Sequence, residues 1–563
     1  MKYNTCMDTA QGIREAITGA LGQLGISAAA ETITLEFPAD MAHGDYATNV
    51  ALVFAKQVGM APRDMATMIV EKLGTIDGVA RIDIAGPGFI NFTLSSQALA
   101  ISLNEALIQD AWGASDVCPD ETVMVEYTDP NPFKAFHIGH LMSNTIGESI
   151  ARLLQFSGAK VIRANYQGDL GVHVACAIWG IQKLGIHPES ADEFGTAYAA
   201  GATAYKEDPV AKKEIDEINT KLYERSDPAL NILYDTGRTT SLEAFERIYG
   251  ILGTHFDHYF FESQTAPIGK NIVITHPDIF PESEGARVFK GEEHGLHTRV
   301  FINAKGIPTY EAKELGLEKL KKDLYPETKL LIIVTGNEVV DFFRVVKRAL
   351  ELTYPHIADE MVHVPHGMMK LPTGKMSSRT GDVITGESLL RELAAAAKVR
   401  VTESRAGDTE KLSQEVAVAA IKYQILKQDS SKDIVFDRER SLSLEGDSGP
   451  YLQYTYARTG AVVGKAHMQG IESRVDMNAE PTEVVRLIHR FPAVVEQAAR
   501  DLKPHLITQY LLSLASAFNS WYAQVQIIDT SEHAPHKVAV TAAVNRTLKN
   551  GLWILGIPAP EKM

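Results

Sequence analysis

Two imidazoles separated by two residues, His137 and His140, flank Gly139 in the run His137-Ile138-Gly139-His140. The run lies where a strand-like VMVEY ends and an amphipathic stretch begins; its apolar stripe, Ile138, Met142, Ile146, Ile150 and Leu153, predicts a helix. A strand-to-helix junction aims backbone N–H groups and the positive end of the helix dipole at whatever binds there. Both rings can donate hydrogen bonds as charge develops on a phosphate, and Gly139 lets a flat base approach the backbone. A histidine near a helix start is more often a cap or a core residue, so the motif gains meaning only from a second one. Lys375 and Arg379 sit in Gly374-Lys375-Met376-Ser377-Ser378-Arg379-Thr380-Gly381, a glycine-flanked basic loop. Such a loop can close over a triphosphate and stabilise in-line displacement at the α-phosphate. Its competing reading is a solvated surface loop.

The elements that must hold these residues follow from periodicity. From Glu121 to about Thr385 the pattern runs strand then helix repeatedly: VMVEY into HLMSNTIGESIARLLQFSG, KVIRANY into GVHVACAIWGI, KLLIIVTG into EVVDFFRVVKRALEL. This predicts an α/β Rossmann-type parallel-sheet domain over 115–385, interrupted by a charge-rich helical insertion at about 184–280. Residues 1–110 read as a small α+β domain with a strand-like ETITLEF and a turn at Gly86-Pro87-Gly88 between two strands. Beyond 386 helical periodicity takes over to residue 563, predicting an all-α bundle.

Composition sets outer bounds. The 563 residues exceed one hydrophobic core, and 45% apolar with 22% charged residues is ordinary for a globular protein. No apolar run reaches the length of roughly 20 residues that spans a bilayer, and the start lacks a signal-like apolar block, so a cytoplasmic protein with no membrane partner is expected. Cys6, Cys118 and Cys176 are scattered and outside any CxxC pair, which gives no metal signature. A formal charge of −16 neither supports nor excludes a nucleic-acid partner, because a local basic groove would suffice.

The two motifs together, in this order and separated by a nucleotide-binding fold, resemble the HIGH and KMSKS signatures of class I aminoacyl-tRNA synthetases. Glu126-Tyr127-Thr128-Asp129-Pro130-Asn131-Pro132-Phe133-Lys134 is similar to the run that precedes HIGH in the arginyl-tRNA synthetase family. That resemblance implies that Glu126 and Asn131 hold the α-amino and carboxylate groups of arginine and that Lys134 reaches the ATP phosphates. ATP would then be bound by Lys134, His137, Gly139 and His140 with Lys375, Met376, Ser377 and Arg379, and His137, His140, Lys134 and Lys375 would carry catalysis. The family's second loop lysine is replaced here by Ser378, and the resemblance implies that Lys134 takes over its charge.

Tyr310-Glu311-Ala312-Lys313-Glu314 is similar to a family segment whose tyrosine and acidic residue meet the guanidinium, implying Tyr310 and Glu314 as arginine contacts; the family commonly has aspartate at the second position. Glu338 is a looser match near another amino-acid contact. Asn165-Tyr166-Gln167-Gly168-Asp169-Leu170-Gly171 resembles a family loop with Leu170 in place of tryptophan. Gly449-Pro450-Tyr451-Leu452-Gln453-Tyr454-Thr455-Tyr456-Ala457-Arg458 and Phe518-Asn519-Ser520-Trp521-Tyr522 look like the family's anticodon-binding bundle, with Tyr456, Arg458, Trp521 and Tyr522 as tRNA contacts. Tyr451 and Phe518 read as core. His43-Gly44-Asp45-Tyr46 resembles the family's tRNA-contacting N-terminal domain. The resemblance implies a monomer that joins L-arginine to tRNA(Arg) using ATP with Mg2+ as substrate, with no tightly bound cofactor and no protein metal site. Competing readings are a non-catalytic tRNA-binding paralogue, against which both histidines stand, and a glutamyl or class I lysyl enzyme. Glu126 and Glu314 favour a cationic amino acid.

Overall fold

A computed structural model describes residues 5–188, 191–370, 385–401 and 408–563. The first region comprises α1 (Thr5–Gln23), β1 (Tyr46–Thr48), α2 (Val50–Val58), α3 (Pro62–Leu73), β2 (Val79–Ala85), β3 (Phe89–Leu94) and α4 (Ser96–Ile108). Its sheet is antiparallel in the order β1-β3-β2, and Gly86-Pro87-Gly88 turns the chain between β2 and β3. The strand expected over ETITLEF is reduced to a bridge between Glu36 and Ala47, because residues 30–32 coil into a 3-10 turn and Pro38 ends the pairing.

The central region contains β4 (Thr122–Glu126), α5 (Ile138–Phe156), β5 (Lys160–Gln167), α6 (Val172–Leu184), α7 (Ala191–Glu207), α8 (Pro209–Glu224), α9 (Pro228–Leu252), β6 (His258–Phe261) and α10 (Glu262–Thr275). It continues through a small antiparallel sheet of β7 (Glu282–Ser283), β8 (Ala286–Phe289) and β9 (Arg299–Ile302). Then come α11 (Tyr310–Leu324), β10 (Thr328–Gly336), α12 (Val340–Thr353), α13 (Pro355–Glu360) and β11 (Met361–His366). Five strands form one parallel sheet in the order β11-β10-β4-β5-β6. Val123, Met124, Val125 and Leu331 to Val334 are buried, as expected for strands covered by helices on both faces. The chain leaves β4 toward β5 on one side and returns to β10 on the other, so the carboxyl ends of β4 and β10 form the switch point where such sheets bind ligands.

The helical excursion ends at Leu252, earlier than the sequence suggested: within 184–280, β6 is the edge strand of the main sheet. Its four residues, HYFF, are too short to announce a strand by alternation.

The final region begins with β12 (Met369–Lys370), which pairs in parallel with β13 (Ile434–Val435). The rest is helical: α14 (Gly386–Val401), α15 (Thr409–Leu426), α16 (Arg438–Ser441), α17 (Gly449–Met468), α18 (Glu483–Asp501), α19 (His505–Gln524) and α20 (Ala534–Ile554). Lys422 on α15 donates to the carbonyls of Leu252 and Gly556, both at 2.7 Å, tying this bundle to the end of α9.

The Asp45-Tyr46 pair docks the first region onto α18. Asp45 is buried, accepts from Leu94 N at 2.8 Å and pairs with Arg486. Tyr46 Oη lies 3.1 Å from His489 Nε2, and Ser102 Oγ lies 2.8 Å from His489 Nδ1. Burial pushes the His489 imidazole down to about 4 from 6.5, against the pull of Asp45. The unfolded ring takes up its proton first, so stability is level above pH 6.5 and falls as pH drops from there toward 4. The loss is expected to be on the order of 3 kcal/mol. Urea midpoints at pH 7 and pH 5 check this, with His489→Gln expected to flatten the dependence.

Candidate active site

Glu126 ends β4, and the eleven positions from it to Phe136 carry the chain to His137, which caps α5. Three non-glycine residues in this loop have positive φ: Thr128 (81°), Asp129 (46°) and Phe133 (65°). Such conformations persist only where the surroundings over-determine them. Here Thr128 N donates to Ser143 Oγ at 2.9 Å, Asp129 Oδ1 accepts from Tyr166 N at 2.8 Å, and Phe133 N donates to Ser241 Oγ at 3.0 Å. The insertion is therefore part of the support: Phe133 packs edge-on to Phe194 of α7 and stacks on Tyr234 of α9.

At the start of α5, the His137 and His140 rings stack 3.5 Å apart, and His137 N donates to His140 Nδ1 at 3.1 Å. An accepting Nδ1 puts the proton of the neutral His140 ring on Nε2, which is left as a donor. A Cβ on Gly139 would lie 2.9 Å from His137 Cε1, so any side chain there would displace the ring. Burial, followed by the charge of Lys134, pushes His137 down to about 4 although its ring reaches solvent. Burial and then His137 hold His140 well below the usual range. Both rings are thus neutral near pH 7 and act as hydrogen-bond donors. Lys134 Nζ rests 4.9 Å above the Tyr198 ring of α7; burial lowers its affinity for a proton while Glu262 opposes that.

Lys375, Met376, Ser377 and Arg379 lie outside the described residues, but both flanks of their loop are placed. Thr385 bridges His137, and Gly386 N donates to Phe136 O at 2.7 Å. The loop is therefore stitched at its carboxyl end to the double-histidine motif itself.

On the other side of the switch point lies a set of buried acids. Glu126, Glu314 and Glu318 are buried, and Asp129 is half-buried beside them. Burial, then the Glu126 charge, holds both Asp129 and Glu314 well above the usual carboxylate range. Glu314 Oε1 has no hydrogen-bond partner among the described residues. Tyr310 stands at the first turn of the same helix, exposed, so the shared face expected for Tyr310 and Glu314 runs from rim to interior. Asn131 Oδ1 accepts from Gly168 N at 2.8 Å, which leaves its Nδ2 free to donate to a carboxylate. A Cβ on Gly168 would sit 2.6 Å from that oxygen. Glu338 is exposed, and its charge acts on His137 and His366, which puts it at the histidine end.

Several groups at the site were given no individual role by the sequence reading. Asp169 is fully buried, accepts from Tyr234 Oη and from Ser263 N, both at 2.9 Å, and lies 3.4 Å from Arg238 Nε: it is the hub that ties the insertion to α10. Lys313 and Glu262 form a buried pair at 2.5 Å. Lys321 lies between Glu126 and Glu318. Only the three- and four-residue spacings along α11 could have pointed to the last.

Of the bundle residues, Arg458 Nη1 donates to Asn519 Oδ1 at 2.9 Å and its Nη2 to Tyr454 Oη at 2.8 Å, with the guanidinium 5.5 Å from the Tyr522 ring. Tyr522 is 38% exposed and stacks on buried Phe518, and Trp521 is half-buried. Tyr456 is only 8% exposed, so it packs inside the bundle and presents no open face.

Comparison with known proteins matches this chain along most of its length. The model described as tRNA synthetases class I (R), catalytic domain, matches residues 102–438. The DALR anticodon binding domain matches 452–563, and the arginyl tRNA synthetase N terminal domain matches 11–94. The arginine–tRNA ligase of Lactococcus lactis subsp. cremoris (strain SK11) is 31% identical over 571 residues, covering 99% of this chain and 100% of that protein. That of Streptococcus pneumoniae serotype 19F (strain G54) is 30% identical, covering 94% and 95%. The solved arginyl-tRNA synthetase of Thermus thermophilus aligns with a TM-score of 0.83 at 25% identity, over 98% of this chain and 99% of that one.

Proposed function

The chain belongs to the arginyl-tRNA synthetase family, class I ligases that join arginine to tRNA at the expense of ATP, and on that premise we propose how its residues divide the work. The observation that carries the proposal is the opposition, across one sheet switch point, of neutral imidazole donors with a cation at one end and, at the other, a set of buried acids in which Glu314 Oε1 has no hydrogen-bond partner among the described residues. ATP lies over Gly139 with its phosphates toward Lys134, His137 and His140, and Lys375, Met376, Ser377 and Arg379 bind it as well. Mg2+ enters with ATP as its counter-ion. Arginine places its α-ammonium at Glu126, its carboxylate at the Asn131 amide and its guanidinium between Tyr310 and Glu314.

A carboxylate oxygen of arginine attacks the α-phosphorus, the bond to the bridging oxygen breaks, and pyrophosphate leaves. Neutral His140 donates through Nε2–H to the charge that builds on the phosphate, and no proton transfer is needed. A hydroxyl of the terminal adenosine of tRNA(Arg) then attacks the arginyl carbonyl, the bond from that carbon to the phosphate oxygen breaks, the hydroxyl proton passes to the departing phosphate, and AMP leaves. Arg458, Trp521 and Tyr522 face the anticodon, with Tyr456 as the packed base beneath them, and the N-terminal region contacts the tRNA elsewhere. The enzyme works as a cytoplasmic monomer.

Arginine-dependent ATP–pyrophosphate exchange is expected to require tRNA(Arg), and charging of total tRNA with each amino acid is expected to single out arginine. Equal exchange with and without tRNA contradicts the first; charging with lysine or glutamate instead contradicts the second.

A further inference from the structure

The floor of the amino-acid pocket holds charges to which no role has yet been given. Tyr310, Glu314, Glu318 and Lys321 are spaced by four, four and three residues along α11, so they line one face of the helix. Exposure along that face falls from 64% at Tyr310 to 5% at Glu314, 0% at Glu318 and 1% at Lys321. Lys321 Nζ lies 2.7 Å from Glu126 Oε2 on β4 and also pairs with Glu318 Oε1. Glu126 Oε2 is held by this ammonium, while Glu314 Oε1 and Glu318 Oε2 have no hydrogen-bond partner among the described residues. One ammonium thus serves two of three buried glutamates. The nearby Asp129 adds a fourth acid, while Lys313 is engaged by Glu262.

Without that ammonium, Glu126 and Glu318 would face each other uncompensated. Like charges at close range repel, and a Glu126 carboxylate pushed out of place by that repulsion loses its grip on an α-ammonium group. We propose that Lys321 is a specificity-determining positioning residue: clamped between Glu126 and Glu318, it holds the Glu126 carboxylate in place for the α-amino group. It also fills the far end of the pocket with a resident cation, so that Glu314 is the carboxylate left for the guanidinium. The inference rests on the amino-acid site described under Proposed function.

The test uses full-length enzyme with tRNA and measures arginine-dependent pyrophosphate exchange. Lys321→Met is expected to raise the arginine KM about 10²-fold, as when one partner of a buried pair is removed, with the ATP KM unmoved. Adding Glu318→Gln removes the repulsion and should bring the KM back to within about tenfold of the parent. An arginine KM within twofold of the parent for Lys321→Met overturns the proposal. So does a loss shared by both substrates that Glu318→Gln does not relieve. If Lys321→Met does not fold, the double variant decides alone: a KM within about tenfold supports the role, and a larger rise overturns it. Glu126→Gln in the parent separates the two levels, because an unchanged arginine KM there sinks the site itself rather than the part played by Lys321.

Discussion

Lys134→Ala is expected to lower the rate of arginine-dependent pyrophosphate exchange by about 10²- to 10³-fold, the loss found when one preorganised electrostatic group is removed from a transition state. The reason is a charge deficit at the phosphate end. His137 is pushed down to about 4 and His140 well below its usual range, so neither ring brings a positive charge at neutral pH. Among the described residues, positive charge there rests on Lys134, held over Tyr198; Lys375 and Arg379 are assigned to ATP by their sequence motif. Ser378 stands where the family's second loop lysine would be. Lys375→Ala is therefore expected to lose less than Lys134→Ala. Exchange assays at saturating arginine and tRNA compare the two directly, and equal losses would contradict this division of charge.

Replacing Glu314 by glutamine is expected to lower kcat/KM for arginine by about 10²- to 10³-fold, since a buried charge partner is removed from a cation, yet to make the ligand-free protein more stable. Both effects share a cause. Burial and the Glu126 charge hold the Glu314 carboxyl well above its ordinary range. A carboxyl whose folded pKa is raised binds its proton more tightly when folded, so the stability it contributes is lost as pH rises through that folded value. An amide there has nothing to ionise, and the thermal midpoint of the free variant should exceed that of the parent at neutral pH. In the parent, the incoming guanidinium favours the ionised carboxylate, so binding releases protons and the arginine KM falls as pH climbs above the ordinary carboxylate range. Calorimetry in two buffers of different ionisation enthalpy counts those protons. Buffer-independent heats would contradict the mechanism.

Sites held in conditions that destabilise the empty protein are where local sequence rules read least well. The double-histidine run was legible because helix α5 announces itself: Ile138, Met142, Ile146, Ile150 and Leu153 are all buried as their spacing required. The β5–α6 and β10–α12 pairs were legible for the same reason. The end of the insertion was not, because β6 has only four residues and no alternation to betray it. Likewise the strand read in ETITLEF shrank to one bridge, since neighbouring strands rather than local propensity decide whether a short segment pairs.

Asp45 and Tyr46 show the same limit at the level of role. Their motif is visible in sequence, but the Arg486, His489 and Ser102 that engage it lie far away along the chain.

The sequence by itself determined the periodic elements, the order of the three regions, the two nucleotide-site motifs and the acidic character of the amino-acid site, because each is written in spacings of a few residues. Only the tertiary structure decided that Thr385 is stitched to His137, that α7 and α9 brace the strained loop at Phe133, and that Lys321 comes to rest against Glu126. Those contacts join residues from 61 to nearly 250 positions apart, and the charged groups among them depend on burial and on one another. Burial and mutual charge are properties of packing, and no local pattern of residues encodes them.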